Sequence, residues 1–131
     1  MARSHLFQTL FRQQTRRPLL VNETRGVVLA GSIETAFDSR ARRAGLLGRE
    51  TFAAGAVLAI APSSAVHTFG MRFAIDVLFI DRGGRVLKRA LGLRPGRIAG
   101  TLTAFAALEF AAGSPEVAWT AVGDQLMFVD R

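Results

Sequence analysis

The stretch Ile75-Asp76-Val77-Leu78-Phe79-Ile80-Asp81, entered through Val66-His67-Thr68-Phe69-Gly70-Met71-Arg72-Phe73-Ala74, decides how the rest of the chain is read. In an extended segment, alternation puts Ile75, Val77 and Phe79 on one face and Asp76, Leu78 and Ile80 on the other, so both faces are apolar. A strand of that kind reads as a core strand. Asp76 is then expected to be buried or half-buried. A buried carboxylate must find a cation, accept several backbone N–H bonds or take up a proton, because unpaired burial costs several kcal/mol. His67 and Arg72 lie just upstream as partners of the right chemistry.

Working outward, Arg82-Gly83-Gly84 turns this strand into a second one, Arg85 to Leu91, since Gly-Gly accepts the positive φ of a tight hairpin. Gly92 to Gly100 reads as a loop. Thr103 to Ala112 is a further strand, with Phe105, Ala107, Glu109 and Ala111 on one face and Ala106, Leu108, Phe110 and Ala112 on the other, so Glu109 repeats the situation of Asp76. Ser114-Pro115-Glu116 caps a short helix through Trp119, and Gly123-Asp124 turns into a last strand, Gln125 to Val129. Upstream, Leu19 to Val21 and Val27 to Ile33 form a hairpin around Asn22 to Gly26, and Ala56 to Ala61 and Val66 to Phe69 are strands. Thr35 and Asp38 read as a capping box opening a short helix with Phe37, Ala41 and Ala44 on its apolar stripe, an Asp38–Arg42 pair on its flank and Gly45 as its stop. The sum is a β-rich α+β domain, a barrel-like sheet of about six to eight short strands with one or two helices.

With 131 residues, half of them hydrophobic, the chain has material for one packed core. We divide it into a basic N-terminal extension, residues 1–18, and a single domain, residues 19–131. Cysteine is absent and histidine occurs only at His5 and His67, which excludes disulfides, thiolate chemistry and Cys- or His-rich metal sites. No glycine-rich phosphate loop, dinucleotide fingerprint or acidic cation loop is present, so the sequence calls for no metal and no cofactor. Residues 1–49 carry nine arginines against three acids, most of the net charge of +7. The opening segment holds Arg3, Arg12, Arg16 and Arg17 with no acid, and it lacks the unbroken apolar run of roughly 7–15 residues that a secretory signal needs. No stretch is long enough to span a bilayer, and a soluble, cytoplasmic protein is expected.

Arg43-x-Gly45-Leu46-x-Gly48-Arg49, His67-Thr68-Phe69-x-Met71 with Ile75-Asp76-Val77-x-Phe79-x-Asp81, Leu108-Glu109 followed by Gly113, and Gly123-Asp124 resemble, in order and spacing, the bacterial and archaeal family called domain of unknown function 192. The resemblance runs from about Val27 to Val129 and implies a compact, barrel-like β-rich fold. It implies no catalytic role for any residue. Many members begin with a signal peptide, whereas the opening segment here is basic, so export is not expected; many have Trp-Met-x-x-Thr where this chain has Phe69-Gly70-Met71.

The polar residues support two readings. One gathers His67, Arg72, Asp76 and Glu109, with Arg43 and Arg49, into a pocket for a small polar or anionic ligand held by arginine forks. The other pairs Asp76 and Glu109 with Arg43 and Arg49 to pin the helix on the sheet, in which case the carboxyl groups titrate low. An enzyme using His67, Asp76 and Glu109 for acid–base work is the alternative from another class, and Ser63 or Ser64 with His67 and Asp76 has the residue types of a nucleophilic triad without its usual Gly-x-Ser-x-Gly turn. A third reading gives the basic N-terminal region a protein partner or weak, salt-sensitive contact with nucleic acid.

Overall fold

The computed structural model describes residues 17–130, which form ten strands and two short helices. Three strands that are buried along nearly their whole length, β4 (Ala56–Ile60), β9 (Ala106–Ala111) and β6 (Ile75–Ile80), lie side by side in a five-stranded sheet. Its order is β3-β4-β9-β6-β7, with β3 (Ser32–Ala36) and β7 (Val86–Leu93) at the edges. Only β3 and β4 run parallel, and helix α1 (Ser39–Ala44) lies in the connection between them.

The two apolar faces expected of Ile75 to Ile80 are both used. Leu78, Ile80, Leu108 and Phe110 pack with Leu20, Leu29, Leu126 and Phe128 of a three-stranded sheet of order β10-β1-β2, formed by β10 (Leu126–Val129), β1 (Leu19–Asn22) and β2 (Val27–Ala30). On the opposite face Ile75, Val77, Phe79 and Ala107 pack with Leu46, Val66 and Met71 from the irregular segments after α1 and around β5 (Ala65–His67). The large sheet therefore separates two cores, which is why its central strands tolerate so few polar residues.

No barrel closes; the sheets remain open and three in number, the last being a ribbon of β5 with β8 (Ile98–Gly100). The segment from Val27 to Ile33 is broken at Gly31, where the chain leaves one sheet for the other and Gly31 and Ser32 both donate to the Gly55 carbonyl. Thr35 sits inside β3, and Asp38 alone caps α1 by accepting from Ala41 N–H at 2.7 Å. Arg42 does not reach Asp38; its guanidinium donates to the Phe37 carbonyl and Ser39 Oγ. The expected loop from Gly92 to Gly100 is shorter, because β7 continues to Leu93 and β8 begins at Ile98. Helix α2 (Pro115–Trp119) begins as expected, with Ser114 Oγ accepting from Val117 N–H.

Gly100 sits where β8 presses on β5. A Cβ there would lie 2.6 Å from the Ser64 carbonyl oxygen and 2.8 Å from Ala65 Cβ. Gly100→Ala is expected to cost about 1–3 kcal/mol by overpacking, read as a lower urea midpoint at unchanged slope.

Asp124, from the Gly123-Asp124 pair, closes a buried network. It accepts from Arg25 Nε at 2.6 Å, Asn22 Nδ2 at 2.9 Å and Ala121 N–H at 2.9 Å, while Asn22 also donates to Thr120 Oγ1. Burial alone would raise this carboxyl, but the bonds from Arg25, Ala121 and Asn22 outweigh it and hold it at about 2, against 3.8 ordinarily. The unfolded chain takes up this proton first as pH falls, so stability from Asp124 is lost between about pH 4 and pH 2. Asp124→Asn should flatten that part of a stability–pH curve.

Candidate functional site

Glu109 stands in β9 opposite Leu58 of β4 and Val77 of β6, so its side chain shares the face that carries the second core. It is 4% exposed. Above it lies Gly45, the residue that ends α1 with φ +47°, and Glu109 Oε1 is 3.9 Å from the point a Gly45 Cβ would occupy. A side chain at that position would roof the carboxylate; glycine leaves it open to a groove of about 420 Å³. One wall is α1 and the turn after it, with Arg42, Arg43 and Leu47; the other is the β5 region, with His67, Phe69, Val66 and Met71.

No hydrogen bond or ion pair reaches the Glu109 carboxylate among the described residues. Burial pushes the carboxyl up to about 7, with the more distant Arg49 charge pulling the other way. The expectation that arginine would hold this group low is overturned, because Arg49 is committed elsewhere. Its two terminal nitrogens make a forked pair with Glu34, 3.0 Å on each side.

Of the residues expected in one pocket, the structure brings together Glu109, His67 and Arg43. Arg49 stands close enough to be felt by Glu109 without touching it. Arg72 is exposed and pairs with Glu50 at 3.3 Å. Asp76 lies on the other side of the sheet: it is opposite Phe110, whereas its neighbour Val77 is opposite Glu109. Its carboxylate accepts from Gly92 N–H at 2.7 Å and Gly113 N–H at 3.1 Å, a satisfied architectural acid. That placement removes both the Asp76–Glu109 couple and the triad, and Ser63 Oγ is turned to the Ala65 carbonyl.

His67 stands exposed on the groove wall. Its Nδ1 accepts from Phe69 N–H at 3.3 Å and its ring stacks on Phe69 with centroids 5.5 Å apart. In the neutral imidazole this leaves Nε2–H as a free donor. The segment is fastened by Thr68, a fully buried residue the sequence reading passed over; its hydroxyl donates to the Arg94 carbonyl at 2.6 Å and accepts from Arg97 N–H at 2.9 Å. Alternation from buried Val66 would have turned Thr68 inward. Gly70 lets Leu47 close in, since a Cβ there would be 3.1 Å from Leu47 Cδ1.

These features define a two-core α+β protein whose candidate site is an open groove over an acid that has no partner among the described residues. The chain belongs to the domain of unknown function 192 family, described as "Uncharacterized ACR, COG1430", which matches residues 20–128. Among solved structures it is similar to a protein of unknown function from Novosphingobium aromaticivorans, at 20% identity over 83% of this chain and 82% of that one, with a TM-score of 0.70. It is also similar to a Sinorhizobium meliloti protein described as "a putative transcription regulator", at 21% identity over 86% and 92% of the two chains, with a TM-score of 0.73. At such identities the likeness defines a shared fold. No curated protein matches the chain significantly.

Among the described residues no helix is long and apolar enough to cross a membrane, and no group of three or more His, Cys, Asp or Glu could hold a metal ion. The basic segment proposed to reach nucleic acid or a protein partner lies, up to Arg16, outside the described residues.

Proposed function

We propose that the protein is a small-molecule binding module and that the groove over Glu109 is its site, taking a small polar or anionic ligand. The single observation that carries this reading is a carboxylate 4% exposed, without a partner among the described residues, and facing an open groove. An apolar side chain at that position would pack as the neighbouring core does, with no desolvation cost. A buried acid facing a groove is satisfied by a bound group of complementary chemistry, and convergent polar groups among apolar side chains are the usual make-up of a ligand site. Arg43 and His67, each with uncommitted donors, stand on its two walls.

A carboxyl held near 7 also suits proton transfer, so general acid–base chemistry on the bound molecule is the second reading. Conversion of a bound compound, followed by product analysis, separates the two.

The test is a thermal-shift screen against sugars, amino acids, carboxylates, phosphates and nucleotides, run in parallel on wild type, Glu109→Gln and His67→Ala. A ligand at 100 times its Kd adds about 2.7 kcal/mol to the folded state. The expected result is a compound that stabilises wild type and fails on Glu109→Gln. His67→Ala should remain folded, within about 1 kcal/mol of wild type, because the ring is exposed and accepts one long hydrogen bond. Its effect should fall on ligand affinity. A His67→Ala protein that does not fold, or a screen without any hit on wild type, would overturn the reading.

A further inference from the structure

The charged groups of the groove are sorted by depth. Glu109 is at the floor, buried, under the bare Cα of Gly45. Arg43 is at the rim, exposed, with no hydrogen bond or ion pair among the described residues. Its neighbours are spoken for. Arg42 is held by the Phe37 carbonyl and Ser39, Arg49 by Glu34 and Arg72 by Glu50. The groove thus offers a free acid at the bottom and a free guanidinium at the top, with Val66, Met71 and Phe69 on the wall that faces α1.

We infer that the ligand is a small aminated acid, with a primary amine lying deep against Glu109 and a carboxylate or phosphate at the rim against Arg43. This rests on the reading of the groove as a binding site and adds the ligand's class to it. An ammonium supplies the partner that Glu109 lacks and holds it ionised, because an opposite charge within about 4–6 Å favours the charged form. An anion meets the planar fork of Arg43, the geometry that carboxylate and phosphate accept in bidentate fashion. His67 Nε2 adds a second donor at the same outer level. At about 30 Å³ per water, 420 Å³ corresponds to roughly fourteen water molecules, space for a metabolite of small size and too little for a dinucleotide.

Docking of the amine removes the proton that Glu109 carries when the groove is empty, so binding at pH 6.5 releases protons to the buffer. The other charged groups on the walls, Arg42, Arg43 and His67, and the nearby Arg49, are cationic or neutral and supply no competing carboxylate.

The test is isothermal titration of the full-length protein with matched probes: β-alanine, γ-aminobutyrate, phosphoethanolamine and glucosamine 6-phosphate, each against its counterpart without the amine, propionate, butyrate, ethyl phosphate and glucose 6-phosphate. The expected result is that at least one aminated probe binds ten-fold or more tighter than its counterpart, that Glu109→Gln erases the preference, and that Arg43→Ala weakens carboxylate or phosphate probes ten-fold while leaving the preference for the amine. With the carboxylate probes, which are fully ionised at pH 6.5, titration in two buffers of different ionisation enthalpy should report more proton release from wild type than from Glu109→Gln. Equal binding within every pair of probes, or a preference for the amine that survives Glu109→Gln, overturns the inference while leaving a binding groove in place. Hits in the broad screen with none among the aminated probes overturn it equally. Silence across both sets overturns the binding reading as well.

Discussion

Glu109→Gln will make the protein more stable at pH 8, by about 2–3 kcal/mol, and the gain will shrink to nothing as pH falls toward 4.5. Between 4.5, the ordinary value, and about 7, the value in the folded chain, the native state keeps a proton that the unfolded chain has released. The Glu109 contribution to wild-type stability therefore falls as pH rises through that window and is flat on either side of it. A shift of about 2.5 units at about 1.4 kcal/mol each sets the upper size of the effect, and the unpartnered amide of glutamine trims it. In a domain of this size the gain reads as roughly 10 °C in Tm at pH 8. Unfolding curves for the two proteins at pH 4, 6 and 8 check it. A variant less stable than wild type at pH 8 would mean that Glu109 is a structural acid after all.

Asp76→Ala will act in the opposite direction, with a loss of about 3–5 kcal/mol at neutral pH. The two carboxylate oxygens satisfy the backbone N–H groups of Gly92 and Gly113, one on each side of a buried strand. Removing them orphans both donors, at about 1–3 kcal/mol each, and leaves a small void. Asp76→Asn keeps one acceptor and should lose roughly half as much. Ligand affinity in the groove should be unchanged in whatever fraction remains folded, because the residue is on the far side of the sheet. Urea denaturation of the three proteins gives the order; an Asp76→Ala loss below about 1 kcal/mol would contradict the assignment.

The different fates of Asp76 and Glu109 show how far the sequence could be read. Alternation correctly gives each strand two apolar faces and puts a carboxylate in each, because period two is a property of one strand. Which face of Asp76 matches which face of Glu109 depends on the register between β6 and β9, a long-range quantity that no local pattern encodes. The turn at Arg82 to Gly84, the Ser114 cap and the final strand were legible because their signals are local. The arginine partners were not: Glu34 and Glu50, which take Arg49 and Arg72, sit in β3 and in the segment after α1, and only the parallel pairing of β3 with β4 and the path of that connection bring them there. The β-rich α+β class was legible, but the point at which the chain changes sheets, Gly31, and the open edges it leaves at β3 and β7 depend on connectivity that no local pattern encodes.

The measurement that bears most directly on the groove is a carbon-13 NMR titration of the Glu109 side-chain carboxyl in the free protein, repeated with the tightest-binding aminated probe. A midpoint near 7, displaced downward when the probe is bound, is the predicted result. A midpoint near 4.5 in the free protein, unmoved by any probe, would show that the carboxyl is hydrated or paired and would contradict the assignment of the groove as a ligand site built over an unpartnered acid.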